Sequence, residues 1–215
     1  MSPSKCIETK SSISPALIMI PDISGFTQYI NNADLSHSQV RIASLLEAIL
    51  ESNILGLHVS EIEGDAILFY SMNNTSTYDQ IIEQCKLMFT RFHEKLKEFE
   101  GSGCQCGSCH KLQKLTLKFI LHFGQLGSVM VQDYCKLYGK DMIIAHRLLK
   151  NKILTKEYIL FTQNFISQYL ESDTVNLIDW AEVKMVKRSI VDIGAVKYNY
   201  LNLKRPLNIN SPYMV

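Results

Sequence analysis

No apolar run in this chain approaches the roughly 18 residues of a membrane span, and the opening MSPSKCIETKSSIS has no apolar stretch after its lysine of the kind a secretion signal carries. The chain is therefore expected to be cytoplasmic, with no membrane partner. Charge of one sign is missing as well: 22 basic side chains stand against 21 acidic ones, a formal net of +1, and neither sign clusters. Nucleic acid is not an expected partner, because there is no basic stripe and no aromatic signature of an RNA-recognition domain. A phosphate-binding P-loop is excluded, since the glycine that Gly139 and Lys140 would need upstream is Tyr134. Repeats, low-complexity tracts and linkers are absent too. What is present is 215 residues of 47% hydrophobic composition, enough for the core of one domain.

The apolar run from Ala16 to Ile20, closed by Pro21 and Asp22, reads as a buried strand that ends where polar chemistry begins. A short helix is expected over 26–31, and Val40, Ala43, Leu46 and Leu50 recur at helical spacing in a second that ends near Asn53. Residues 57–62 and 66–70 read as strands joined at Glu63, Gly64 and Asp65, with glycine supplying the turn. Over 78–100, Ile81, Ile82, Cys85, Met88, Phe89, Phe92, Leu96 and Phe99 mark one face of a long amphipathic helix. Residues 115–123 and 126–131 read as a second hairpin, 141–151 as a helix, 158–161 as a strand and 163–170 as a helix. Residues 183–203 read as two strands turned near Asp192 to Gly194. This order predicts an α+β domain with a ferredoxin-like core, a mixed or antiparallel sheet with helices on one face. The domain is expected over 16–203, between tails at 1–15 and 204–215, with a cysteine-rich insertion at 101–111.

That insertion reads GSGCQCGSCH. Cys104, Cys106, Cys109 and His110 supply enough soft ligands for a tetrahedral, structural zinc; the other reading is a Gly/Ser-rich loop with reduced thiols. The remaining cysteines, Cys6, Cys85 and Cys135, are scattered and suit a reducing compartment. His122 and His146 read as packed or surface histidines without a role.

The stretch Asp22, Ile23, Ser24, Gly25, Phe26, Thr27 resembles the opening of the class III purine nucleotide cyclase domain. Glu61 to Ala66, EIEGDA, is similar to that family's Gly-Asp hairpin. Leu121 to Val129, LHFGQLGSV, resembles its His-x-Gly strand, and Gly139 to Leu148, GKDMIIAHRL, its helix at Gly139, Ala145, Arg147 and Leu148. The likeness spans residues 16–203 and points to a divergent, cyclase-like branch of unknown function.

The resemblance implies that Asp22 and Asp65, with the backbone of Ile23, hold Mg²⁺ or Mn²⁺. Two hard cations bridged by carboxylates can bring a 3′ oxygen up to an α-phosphorus. It further implies that Ser24, Gly25, Phe26 and Thr27 cradle a polyphosphate, that Arg147 is catalytic, that Glu61 and Lys136 read the base, and that the chain works as a homodimer. Glu61 stands where guanine-selecting members carry Glu. Two departures bear on turnover: the family's catalytic Asn falls at Ile143, and its transition-state Lys falls at Ile193, with Lys197 nearby. Losing one preorganised donor costs on the order of a hundredfold to a thousandfold. Two functions follow: a domain that binds a purine nucleoside triphosphate with metal and cyclises it weakly, or a degenerate one retained as a nucleotide-binding or dimerising module.

Overall fold

The computed structural model describes residues 13–31, 35–101, 109–132, 134–170, 183–190 and 193–204. In chain order they form β1 (Ser14–Ser24), α1 (Phe26–Ile30), α2 (Leu35–Glu51), β2 (His58–Glu63), β3 (Ala66–Met72) and α3 (Tyr78–Gly101). A 3-10 turn at Cys109–Lys114 leads into β4 (Thr116–Val131), β5 (Tyr134–Tyr138), α4 (Lys140–Leu149), β6 (Tyr158–Thr162), α5 (Gln163–Tyr169), β7 (Val183–Ile190) and β8 (Gly194–Asn202).

The strands make one mixed sheet in the order β2-β3-β1-β4-β6-β8-β7, with β5 paired to β4 alongside this path. Among the described residues only β4 and β6 run parallel, and every other pairing is antiparallel. The unit from β1 to β4 is the expected ferredoxin-like βαββαβ core.

Because successive strand residues face opposite sides, β1 feeds two cores. Leu17, Met19 and Ile23 pack with α2, α3 and α5, while Ala16, Ile18 and Ile20 pack with Met142, Ile144, Ala145 and Leu148 of α4. Helices α1, α2, α3 and α5 thus share one face, as expected of this fold, and α4 lies on the other. Asp22 continues the α4 parity, so the first strand delivers its carboxylate to that face.

Two expectations are corrected. The strand does not close at Pro21 but runs on to Ser24, because β4 pairs with it throughout; only the ladder to β3 is interrupted, at Ile20 and Pro21. The expected hairpin over 115–123 and 126–131 is instead one strand, Thr116–Val131, of 16 residues, and the hairpin is made with β5 through Gln132 at φ 54°. Gly124, which suggests a turn in sequence, serves instead as a close-approach point within β4, where Asp141 leaves no room for a Cβ. Among the described residues, no helix is long and apolar enough to cross a membrane.

Candidate functional site

The β2–β3 hairpin turns on Gly64, whose φ of 60° suits glycine, and brings Asp65 up against β1, where the Ile23 N–H donates to the Asp65 carbonyl at 3.0 Å. Asp22 pairs with Ala66 across the same strands, so the two carboxylates are neighbours. Burial, and next to it the charge of Asp22, pushes the Asp65 carboxyl up to about 6. Opposite Asp22 on β4 stands Lys118, whose Nζ lies 2.8 Å from Asp22 Oδ2 and donates to the Leu149 carbonyl at 3.1 Å. Ile23 itself is wholly buried in the other core, so only its backbone is available to a ligand.

This donor set fits a divalent cation. Two carboxylates held close in partial burial repel until a cation joins them, and carboxylate plus backbone oxygen is the chemistry hard cations take. Among the described residues no three His, Cys, Asp or Glu side chains form a ready cage, so further ligands would come from water or from a bound anion. Ser24, Gly25, Phe26 and Thr27 follow directly: Gly25, at φ 93°, caps α1, Thr27 is exposed and Phe26 packs into the core.

On the same face of the sheet lies a groove of about 630 Å³, lined among others by Glu61, Lys136, Ile143, His146 and Arg147. Glu61 is there because β2 carries a bulge between Val59 and Glu61. Val59 packs with the α2/α3 core; without the extra residue Glu61 would share that face. The bulge instead sets Glu61 against Leu68 and Glu63 against Ala66, on the α4 side. His146 sits between them, 3.5 Å from Glu61 and 3.7 Å from Glu63. Ile143 is 51% exposed in the groove wall. A hollow of about 430 Å³ between α2 and α3 gathers none of the predicted residues.

The structure therefore sorts the predicted residues into two groups: Asp22, Asp65 and the turn after β1 in one, Glu61, Lys136 and Arg147 in the other. Neither aspartate lines the groove. Lys197 joins neither, because it alternates with Tyr198 and Tyr200, which pack with α4's core, and so leaves from the opposite face. The side chains of Cys104, Cys106, Cys109 and His110 lie outside the described residues. Lys118 was missed in the sequence. Its signal was a charge inside the apolar run TLKFILHF, where a central strand tolerates one only with a partner.

The family described as a protein of unknown function (DUF2652) matches residues 42–158, which include Asp65, Lys118 and the groove residues named above. The chain belongs to this family. The uncharacterized protein Rv2561/Rv2562 of Mycobacterium tuberculosis is 30% identical to this DUF2652 chain over 164 residues, 75% of this chain and 73% of the relative. Among solved structures, the adenylyl cyclase CyaB from P. aeruginosa superposes with a TM-score of 0.67 at 11% identity, covering 92% of this chain and 98% of that one. The guanylyl cyclase Cya2 gives 0.63 at 16% identity, covering 93% and 98%. The guanylate cyclase domain of RhGC from Catenaria anguillulae, in complex with GTP, gives 0.60 at 12% identity, covering 91% and 100%. The DUF2652 chain thus has the fold of class III adenylyl and guanylyl cyclase domains, as its motifs implied.

Proposed function

We propose that this chain is a divergent nucleotide cyclase-like domain that binds a purine nucleoside triphosphate with Mg²⁺ or Mn²⁺ and cyclises it weakly or for a specialised purpose. The observation that carries the reading is the juxtaposition of Asp22 and Asp65, with Asp65 pushed up to about 6 by burial and by the charge of Asp22. Such a pair costs stability on its own, and binding a cation and the anion it brings would recover it.

Each part of the ligand has a counterpart. Asp22, Asp65 and the Ile23 backbone would hold the metal, which when bound supplies Lewis-acid stabilisation of charge on a polyphosphate. Lys118 orients Asp22 and adds a positive charge beside it. The turn from Ser24 to Thr27 would present backbone N–H groups to phosphate. In the groove, Glu61 would accept from guanine's ring and amino N–H groups, Lys136 would donate, and Arg147 would neutralise growing phosphate charge.

Because the aspartates stand outside the groove that holds Arg147, we propose that two copies pair to bring one group onto the other. The exposed apolar residues Val129, Met130, Val131 and Tyr138 on the β4–β5 hairpin, with Ile143 on α4, support this. We place the chain in the cytoplasm, where Cys85 stays a thiol, and keep zinc on Cys104, Cys106, Cys109 and His110 as a separate structural proposal.

A second reading is favoured by Ile143. A hydrocarbon side chain stands exposed in the groove where a hydrogen-bonding amide would serve catalysis, which suits a module that binds nucleotide without turning it over. Incubation with Mn²⁺ and each triphosphate, followed by mass spectrometry of products, separates the two. A cyclic nucleotide absent from an Asp65→Asn control supports the enzyme. Nucleotide-dependent stabilisation without product supports the module, and if neither is seen the nucleotide reading falls.

A further inference from the structure

His122 lies in the middle of β4 and is 1% exposed. A buried imidazole is costly unless both nitrogens are satisfied, and here both are. Nε2 lies 2.9 Å from Asp141 Oδ1 and Nδ1 lies 2.7 Å from Thr162 Oγ1. A carboxylate only accepts, so in the neutral ring Nε2 carries the proton and the Thr162 hydroxyl donates to Nδ1. Thr162 Oγ1 in turn accepts the Phe165 N–H at 3.4 Å as the cap of α5.

The other oxygen of Asp141 accepts the Gln125 N–H at 2.8 Å. Both carboxylate oxygens are thus engaged by β4. Gly124 is the residue that makes this possible: a Cβ there would stand 2.2 Å from Asp141 Cγ. Gly139, at φ 150°, also passes close, its hypothetical Cβ 2.9 Å from the Gln125 carbonyl oxygen. The His-x-Gly and Gly-x-Asp residues of two separate motifs therefore meet in one contact between β4 and the first turn of α4.

The far end of α4 is held by the same strand, through Lys118 and the Leu149 carbonyl. The two anchor points match in length. Four residues of strand from Lys118 to His122 span about 13 Å, and eight residues of helix from Asp141 to Leu149 about 12 Å. Between these anchors α4 presents Ile143, His146 and Arg147 to the groove.

We propose that His122 and Asp141 are positioning residues for the groove: their clasp, with Lys118 at the other end, fixes the place of α4 along β4 and thereby where Arg147 stands. The proposal rests on the reading that the groove takes a nucleotide. Asp141 touches no ligand in this arrangement; it acts through the helix it begins.

The test uses the full chain, Mn²⁺ alone, and Mn²⁺ with GTP as probes. Asp141→Ala should leave Mn²⁺ affinity unchanged while weakening GTP binding on the order of tenfold to a hundredfold, the scale at which a misplacement of about 1 Å is felt. It should also raise amide hydrogen exchange across 140–149 selectively and abolish a protected His122 Nε2–H signal in nitrogen-detected NMR. Gly124→Ala should destabilise the wild-type chain and do so less in the Asp141→Ala background, which removes the clashes with Cγ and Oδ1 and leaves only the one with Cβ at 2.6 Å, so the double variant keeps the test open if the Gly124→Ala single variant fails to fold.

Exchange and NMR signals unaltered by Asp141→Ala would overturn the clasp. Mn²⁺ and GTP affinities falling together would reduce it to general stability. If the wild type binds no GTP, the nucleotide reading fails by itself, and exchange, NMR and the double-variant cycle still decide whether α4 is held in this way.

Discussion

At Asp65 a proton and a cation compete for one carboxylate. Burial first, and the charge of Asp22 second, holds its proton to about pH 6 in the fold, whereas the unfolded chain releases it near the ordinary carboxylate value of about 3.9. A raised acid contributes stability that is complete below the unfolded value and lost as pH rises through the folded one. The apoprotein should therefore lose stability between about pH 4 and about pH 6 and then level off. Mn²⁺ replaces the proton, so its stabilising effect should be weak at about pH 5 and full by about pH 7. Melting temperatures across this range, with and without Mn²⁺, measure both trends, and Asp65→Asn should flatten them. Lys118 lowers the Asp65 pKa, so Lys118→Met should move the onset of the Mn²⁺ effect to higher pH. It also strands Asp22, at a cost of about 3 kcal/mol. A pH profile of Mn²⁺ stabilisation indifferent to both substitutions would sink the carboxylate site.

Under the proposed function, the element that would decide turnover is α4, since it brings a hydrocarbon, Ile143, and a cation, Arg147, to the same groove. Ile143→Asn places an amide where the resembled family carries one and removes an exposed apolar group, so it should not destabilise the chain. Cyclisation should rise by on the order of tenfold or more, short of the full value of one preorganised donor because the Ile193 position still lacks its cation. The check is the rate of cyclic product formation with Mn²⁺ and GTP. An unchanged rate with unchanged binding would favour the module without turnover.

The same element shows what was readable in the sequence. Apolar spacing marked α2 and α3, a continuous apolar run marked the buried first strand, and glycine marked the hairpin at Gly64. The 16-residue span of β4 was hidden because Gly124 looks like a turn residue, while its purpose, room for Asp141, exists only in three dimensions. The groove was half legible: Glu61 and Arg147 came from motif spacing. The bulge that turns Glu61 to the correct face, the Lys118–Asp22 pair and the His122–Asp141 clasp depend on partners distant in sequence, which no local pattern announces.

For the molecule as a whole, two questions concern what it assembles with. If Cys104, Cys106, Cys109 and His110 hold zinc, purified chain should carry about one equivalent. Cys106→Ser should then lower both metal content and melting temperature; metal-free protein of unchanged stability would remove the idea. Assembly with a second copy has the sharper test, because neither Asp22 nor Asp65 lines the groove that holds Arg147. In a two-fold pair, each complete site would draw its aspartates from one copy and its arginine from the other. Asp65→Asn alone and Arg147→Ala alone should each abolish Mn²⁺-dependent GTP binding. When the two variants are mixed and allowed to exchange subunits, a mixed pair contains one doubly damaged site and one intact site. Random exchange makes about half of all pairs mixed, so about a quarter of the wild-type sites should return. Isothermal titration of the mixture reads that fraction directly, and light scattering of the wild type should give twice the chain mass. A monomer at tens of micromolar, or a mixture that binds no better than its components, would mean that one chain must build its site alone, and the two groups of residues would then have to be read as unrelated.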